Sequence, residues 1–434
     1  MRSFAPLRMT TWAARAAYSL LLRIGLPLYL LRVLRRGRKE SFYATSIGER
    51  VGRYRSAAKP GALWIHAVSL GETRAAGPLI DALRQAMPGR ALLLTHGTAT
   101  GRNAGQSLLK EGDAQAWLPF DTPGAVRRFF DHFAPVAGVL METEIWPNLL
   151  AEAHLRGVPM LLANARMSER SRRRGKRVEA LLRPAFASLA AAFAQTEADA
   201  ARLREAGVRQ VSVEGNLKFD LTPDPHLVAL GRRWKGATVG RAVVLAAITR
   251  EGEEASLLGA WHGVALPRPL LVVVPRHPQR FEAVAELIAG AGFTSSRRST
   301  WGEAPPDAAA SADVWLGDSM LEMPAWYSLA DVALLGGSFE PLGGQNLIEA
   351  AACGCTIVMG PHTFNFAQAA ELALAAGAAL RVATMVEGVS RAVAVALGDE
   401  HRRRAEAALA FAAAHRGAAA RMAALIRRAT TPAA

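Results

Sequence analysis

The stretch Leu334–Phe366, LLGGSFEPLGGQNLIEAAACGCTIVMGPHTFNF, decides the fold class of this chain. It starts inside the apolar run Val332–Leu335 and passes two double glycines, Gly336-Gly337 and Gly343-Gly344, with Ser338 between them. A helical pattern follows over Gln345–Ala352, and a second apolar run begins at Thr356 and ends at Met359. Strand, loop, helix and strand in that order form a parallel α/β unit. Glycines at a strand exit let the backbone come close to a ligand, and the N–H groups and positive end of the next helix suit a phosphate. Asn346 and Glu349 are three apart, so both can face one side, the amide toward an anion and the carboxylate toward a pair of hydroxyls such as a ribose diol. The same glycines also serve a plain turn, and the loop alone names no ligand.

The alternation extends in both directions. Toward the amino terminus, Ala242–Ala247, Leu270–Val274 and Asp313–Leu316 are apolar runs, and the polar, proline-bearing segment 295–312 reads as a surface excursion. Residues 221–240 hold two prolines and no sustained apolar run, which marks a linker. Before it lies another series: Leu63–Val68, Ala91–Thr95, Gln115–Leu118, Val136–Met141, Met160–Ala163, Ala192–Gln195 and Val211–Val213. Buried runs separated by helical segments mean parallel sheets covered on both faces. The expected architecture is α/β, with two doubly wound, Rossmann-like domains facing a cleft: residues 41–220 and 241–434, the latter ending in alanine-rich helices.

Residues 1–40 differ from the rest. Nine basic side chains (Arg2, Arg8, Arg15, Arg23, Arg32, Arg35, Arg36, Arg38 and Lys39) stand there against the single acid Glu40, in a chain whose net charge is +15. The apolar stretch Ala16–Leu34 is interrupted by Arg23, Pro27 and Arg32. A spanning helix needs about 20 apolar residues, and an arginine near its middle is costly. The segment therefore reads as an interfacial or marginally inserted membrane anchor, held by leucines and by the RRGRK cluster on an anionic membrane surface. Should it span, the basic cluster keeps the remainder on the cytoplasmic face of the inner membrane. Two cysteines, Cys353 and Cys355, supply neither a disulfide framework nor a zinc site and read as small packed residues.

Every strand of a parallel sheet presents its carboxyl end on the same side, where ligands bind. In the first domain this edge gathers Ser69–Arg74 with Glu72 and Arg74, His96–Gly101, Glu142–Trp146 with Glu142 and Glu144, Asn164–Arg166, and Lys218 in GNLKFD. Glu72 suits a carboxylate presented to a cleft and equally a helix-terminal acid favoured by the dipole. Glu142 and Glu144 are either catalytic or neutralised by arginines such as Arg74 or Arg166, whereas His66, inside a strand, reads as a hydrogen-bonded core residue. The loop Arg166–Arg177 carries seven basic residues, a solvated face or a surface for an acidic acceptor or lipid headgroups. In the second domain Thr249–Glu254, Arg276 in PRHPQRF and the loop GDSMLEM join Ser338, Asn346 and Glu349 in a nucleotide-sized site. Arg276 is placed to clamp a phosphate or carboxylate. The absence of a Walker lysine pattern argues against ATP hydrolysis.

Eight blocks, WIHAVSLGE, ETEIWPNL, NARMSERS, GNLKFD, PRHPQRF, GDSMLEM, GGSFEPLGGQN with Glu349, and GPHTFNF, resemble in content and order the motifs of the bacterial Kdo transferases. Those enzymes add 3-deoxy-D-manno-octulosonic acid to the lipid A precursor of lipopolysaccharide. The resemblance implies a GT-B fold, an acceptor-binding first half, a donor-binding second half, CMP-Kdo as donor and no cofactor or metal. It implies that Glu72 is the general base, and that donor contacts fall on Pro275, Arg276, Met320, Leu321, Glu322, Asn346, Leu347, Ile348 and Glu349. The chain departs from the pattern at Leu321, where glycine is usual, at Gln345 for histidine, at Leu347-Ile348 for Pro-Leu, and at Ile248 and Arg250 in a loop that commonly reads STHEGEE. Leucine at 321 puts the backbone geometry of that contact in question.

The expected reaction is an inverting transfer of Kdo from CMP-Kdo to a lipid A precursor. A second reading is a cytoplasmic GT-B enzyme acting on a UDP-sugar, by transfer or epimerisation. A third is a non-enzymatic protein binding nucleic acid or membrane through its basic surface. No nucleic-acid motif supports a nucleic-acid partner, and that reading leaves Glu142, Asn346 and Glu349 unexplained.

Overall fold

A computed structural model describes residues 5–37, 46–55 and 60–430. The chain divides into two compact units, Met1–Asp220 with Gly417–Ala434, and Leu221–Arg416.

The first unit is built on β1 (Leu63–His66), β2 (Leu92–His96), β3 (Ala114–Trp117), β4 (Ala137–Met141), β5 (Met160–Ala165), β6 (Ala191–Ala194) and β7 (Val211–Val213). They pair in parallel in the order β3-β2-β1-β4-β5-β6-β7. The central strands β1, β2, β4 and β5 are buried along their whole length, because helices cover both faces; this is why they read as unbroken apolar runs. One face packs Trp64, Phe129, Phe130 and Phe133, and the other packs Ile65, Leu79, Met141 and Leu161. The strand order reverses at β1, so the exits of β1 and β4 flank the switch point where open α/β sheets hold ligands.

The second unit repeats the plan with β8 (Val243–Thr249), β9 (Leu270–Pro275), β10 (Ser295–Arg297), β11 (Val314–Leu316), β12 (Val332–Leu335), β13 (Thr356–Met359) and β14 (Ala379–Arg381). Their order is β10-β11-β9-β8-β12-β13-β14, again parallel, with the switch between β8 and β12. Two doubly wound parallel sheets are the α/β class expected from the sequence.

Several boundaries differ. The expected linker 221–240 contains the helix Pro225–Gly236, started by Asp224, whose side chain accepts from His226 N at 2.8 Å. Its Trp234 is fully buried against Trp301 and Trp326. The excursion 295–312 is no plain surface loop: it supplies edge strand β10 and buries Trp301 against Trp315. The last helix, Ala418–Thr430, belongs to the first unit rather than the second, packing Met422 and Ile426 on Leu79 and Leu83. Asp220 holds its start, accepting from Gly417 N at 2.9 Å and Ala419 N at 2.6 Å.

The amino-terminal helix Ala5–Gly37 spans 33 residues, and Thr10–Arg35 within it is long and apolar enough to cross a membrane. Arg2, Arg38, Lys39 and Glu40 of the expected anchor lie outside the described residues.

Candidate active site

In the first unit Ser69 caps the helix Leu70–Ala86, and Glu72 sits in its first turn. The Glu72 carboxylate is fixed on both oxygens: Val68 N donates to Oε2 at 2.8 Å and Ser69 Oγ donates to Oε1 at 2.9 Å. This resembles a capping box displaced by one residue. The side chain is half-buried and faces the switch point. Its pKa is raised, chiefly by burial; the Val68 and Ser69 hydrogen bonds pull it down, Glu142 pushes it up and Lys218 lowers it. Glu72 thus closes the helix start, as a helix-terminal acid does, with its carboxylate held in one orientation.

The β4 exit brings two more acids. Glu142 adopts a left-handed conformation, φ 56°, its N–H bonded to Ala163 O at 2.9 Å. That turn aims the following residues back over the sheet. Glu144 is pushed up to about 7, first by burial and then by the neighbouring Glu72, with the nearby Trp146 side chain opposing. Glu142 pairs with Lys218 at 3.8 Å rather than with an arginine. Arg74 is exposed, and neither it nor Arg166 forms an ion pair with these acids among the described residues. Glu72, Glu142, Glu144 and Lys218 are thus one group of charges.

Its floor is an amide network. Asn164, left-handed at φ 52° on a bulge of β5, accepts from Leu217 N at 3.0 Å, and Gln195 Nε2 donates to Asn164 O at 2.9 Å. Asn216 Nδ2 donates to Gln195 Oε1 at 3.1 Å, and Asn216 Oδ1 accepts from Lys218 N at 3.0 Å. The asparagines of NARMSERS and GNLKFD thereby position Lys218. His66 is the expected core residue, its Nδ1 against Thr95 Oγ1 at 2.9 Å and its pKa driven down to about 3 by burial.

Beside the β4 exit lies a groove of about 620 Å³, lined by Ile145, Met167, Val178, Leu182 and Phe186 on its apolar side and by Arg172, Arg174 and Lys176 on its basic side. Arg172 and Lys176 are held by Glu205 at 2.8 and 2.9 Å. Arg170, Arg174 and Arg177 form no ion pair among the described residues, and with Arg173 they line a second hollow.

In the second unit a cavity of about 460 Å³ is lined by Ile248, Pro275, Arg276, Met320, Leu321 and Glu349, with Trp326 behind. Arg276 is exposed and donates to Gln345 Oε1 at 2.9 Å. The Glu349 carboxylate is half-buried, its pKa raised by burial alone, and it has no hydrogen-bond or ion-pair partner among the described residues. Leu321 is 87% exposed and keeps a left-handed backbone, φ 67°. The turn that glycine usually makes is therefore retained, at a steric cost to leucine.

Other expected contacts are spoken for. Ser338 is fully buried, its hydroxyl donating to Leu335 O at 2.5 Å and accepting from Gly360 N at 2.8 Å, so it ties the loop together and cannot reach a ligand. Glu322 is bound by Arg298 at 2.8 and 3.0 Å and by Ser319 Oγ at 2.5 Å, which leaves its backbone rather than its carboxylate for a ligand. Asn346 caps the helix Leu347–Ala352 instead of lying on it, its Oδ1 accepting from Ile348 N at 3.1 Å. Leu347 and Ile348 are core residues of that helix.

Sequence reasoning missed what shapes the glycine loop. Glu253, almost fully buried, accepts from Gly337 N at 2.8 Å, Arg250 N at 2.9 Å and Phe339 N at 3.2 Å. A side chain at Gly336 would meet Ile248 O at 2.3 Å, and one at Gly343, whose φ is 89°, would meet Asn365 Nδ2 at 2.2 Å. The only sequence signal was an acid in the first turn of a helix after a strand.

The family model described as "3-Deoxy-D-manno-octulosonic-acid transferase (kdotransferase)" matches residues 45–221. The 3-deoxy-D-manno-octulosonic acid transferase of Bordetella pertussis is 47% identical over 422 residues, covering 93% of this chain and 96% of that protein. The enzyme of the same name from Haemophilus influenzae is 33% identical over 399 residues, covering 90% and 92%. Among solved structures, UDP-GlcNAc 2-epimerase from Neisseria meningitidis bound to UDP-GlcNAc aligns with a TM-score of 0.53 at 14% identity, covering 85% of this chain and 100% of that one, a likeness of fold alone.

Proposed function

This chain belongs to the family of 3-deoxy-D-manno-octulosonic acid transferases, glycosyltransferases of GT-B-like fold, and we propose that it moves Kdo from CMP-Kdo to a lipid A precursor, lipid IVA, with inversion and without a metal. The observation that carries the reading is the Glu72 carboxylate, half-buried at the switch point and fixed on both oxygens. A carboxylate so held is oriented before the substrate arrives, and burial makes it a stronger base than a solvated one. Glu72 takes the proton of a glucosamine hydroxyl as that oxygen attacks the anomeric carbon of Kdo. The bond from that carbon to the CMP phosphate breaks, and the electron pair leaves with CMP.

The second unit supports the donor half. Arg276 offers a cation to the leaving phosphate, and Glu349 offers two acceptor oxygens to a ribose diol. In the first unit, the apolar groove beside basic residues fits an acceptor with both acyl chains and phosphates. Such an acceptor places the enzyme at the cytoplasmic face of the inner membrane.

The test is incubation of the purified protein with CMP-Kdo and a tetra-acylated lipid A precursor in EDTA, with products weighed by mass spectrometry. A product heavier by one or more Kdo residues is expected. Glu72→Gln should bind CMP normally and form product at least about a hundredfold more slowly, the loss of a general base. Loss of activity in EDTA overturns the metal-independent mechanism, and displacement of a bound probe by UDP but not by CMP overturns the donor.

A further inference from the structure

We propose that the helix Ala5–Gly37 lies in the plane of the membrane surface and does not cross the bilayer, one face held on the first unit and the opposite leucine face sunk among acyl chains beneath anionic headgroups. The inference is independent of the reaction assigned above.

The helix is fastened at points spread along it. Tyr18 OH donates to Asp121 Oδ2 at 3.0 Å, and Ser19 Oγ lies 3.1 Å from Asn148 Oδ1. Asp121 is itself buried and accepts from Asn148 N at 3.0 Å and Leu149 N at 2.8 Å, so Tyr18 is tied to the capped start of the helix Pro147–Leu155. Further along, Arg50 Nη1 donates to Tyr29 OH at 2.9 Å, the Tyr29 ring stacks on Phe120 at 4.6 Å, and Val33 is buried with Ala99 and Trp117. A helix rises about 1.5 Å per residue, and the apolar layer is about 30 Å thick. The stretch before Tyr18 therefore reaches only about 20 Å, and the stretch after Val33 only about 6 Å, so no segment long enough to span is left unfastened. Crossing would strip Tyr18, Ser19 and Tyr29 from their partners and leave Asp121 short of a donor, each loss costing a buried polar group its hydrogen bond.

The outward face has one fitting occupant. Leu20, Leu21, Ile24, Leu28, Leu31 and Leu34 are exposed, Leu28 by 71%, at steps of three and four that make a stripe along the helix, and Trp12 is exposed about two turns before them. Arg23, Arg32 and Arg35 are exposed beside it, and the helix contains no acidic residue. A leucine stripe flanked by arginines without acids matches an anionic bilayer surface. A hollow lined by Thr11, Trp12 and Arg15 of this helix shares one wall, the helix Glu179–Ala187, with the groove described above. Helix Glu179–Ala187 turns Leu181 toward the hollow lined by Trp12 and Arg15, and turns Leu182 and Phe186 into the groove.

Two measurements on the full chain test this. In spheroplasts, Thr10→Cys is exposed to a membrane-impermeant maleimide; labelling only after lysis is expected, and labelling in intact spheroplasts overturns the proposal by showing that the helix crosses. Flotation with phosphatidylglycerol vesicles then compares the wild type with Leu21→Glu/Leu28→Glu, its fold checked by circular dichroism. At least tenfold weaker vesicle binding is expected, together with unchanged transfer to a detergent-dispersed acceptor. Equal vesicle binding by the two proteins overturns the proposal. So does a wild-type dimer that the substitutions dissociate without change in vesicle binding, which would assign the stripe to a second copy of this chain.

Discussion

The hydrogen bonds on Glu72 set a prediction whose sign is fixed. As a base Glu72 works only when ionised, so the rate rises with pH through its pKa and that of the acids it couples to. Ser69→Ala removes the 2.9 Å hydrogen bond to Oε1, destabilising the charged form and moving the acidic limb of kcat/KM to higher pH. A hydrogen bond to a charged group contributes about 1.5–3 kcal/mol. Because Glu72 is only half-buried, about half of this survives solvent screening, and at 1.36 kcal/mol per unit the limb should move up by roughly one pH unit. Glu142→Gln acts in the opposite sense: it removes the like charge that raises Glu72, favours the ionised form and moves the limb down. Glu72→Gln should reduce kcat by roughly 10²–10⁴-fold, about 3–5 kcal/mol, at every pH. The assay is kcat/KM between pH 5 and 9 with a detergent-dispersed acceptor, alongside CMP affinity by calorimetry. Movement of the limb in one direction by both variants, or more than a tenth of wild-type kcat in Glu72→Gln, refutes the assignment.

Substitutions at three further positions separate structure from chemistry. Asp220→Ala removes both acceptors from the start of the last helix and should cost about 1–2 kcal/mol, lowering the melting temperature by roughly 2–8 °C while leaving CMP affinity unchanged. Glu253→Gln cannot accept from all three backbone N–H groups of the glycine loop; CMP binding should weaken by about tenfold by calorimetry, with the Glu72 pH limb where it was. At position 321, Leu321→Gly suits the left-handed backbone and should bind CMP at least as well as the wild type. Leu321→Val, branched at a positive φ, should bind several-fold more weakly in the same titration.

The sheets were legible because burial on both faces writes a central strand as a continuous apolar run; twelve of the fourteen strands were located, including the partly buried edges β3 (Ala-Gln-Ala-Trp) and β7 (Val-Ser-Val), whose apolar residues still mark them. The two not foreseen are edges: β10 reads Ser-Ser-Arg, and β14 is three residues inside an alanine-rich region of helical character. Neither is covered on both sides, so neither carries the signal. The last helix defeated domain reading for another reason. Its alanine-rich pattern continues that of the preceding helix, and what returns it to the first unit is Asp220, some two hundred residues earlier in the chain. The reading of residues 221–240 as linker failed because the apolar run there, Leu227–Leu230, is only four residues long, and Trp234, which anchors the helix, stands apart from it between Arg233 and Lys235.

Among the motif residues, local sequence located loops correctly but could not say which acids were occupied. Glu322 and Glu349 look alike in sequence, each an acid near the start of a short helix after a strand. Arg298 decides between them: it holds Glu322 on two oxygens, while no cation reaches Glu349. The same sorting covers the other acids. Glu253 is held by three N–H groups, and Asp220 and Asp121 by helix ends. Glu144 and Glu349 are half-buried with no cation paired to them among the described residues, and burial raises both. Removing a carboxylate from water without a compensating charge opposes folding, so neither acid helps hold the unligated fold together. A ligand that completes either environment recovers that energy on binding: a diol donating two hydroxyls at Glu349, and an acceptor hydroxyl passing its proton at the Glu72–Glu144 pair. On the proposed reading, the two acids left without a cation among the described residues stand where substrate would complete them, Glu144 beside the base Glu72 in the first unit and Glu349 in the donor site of the second.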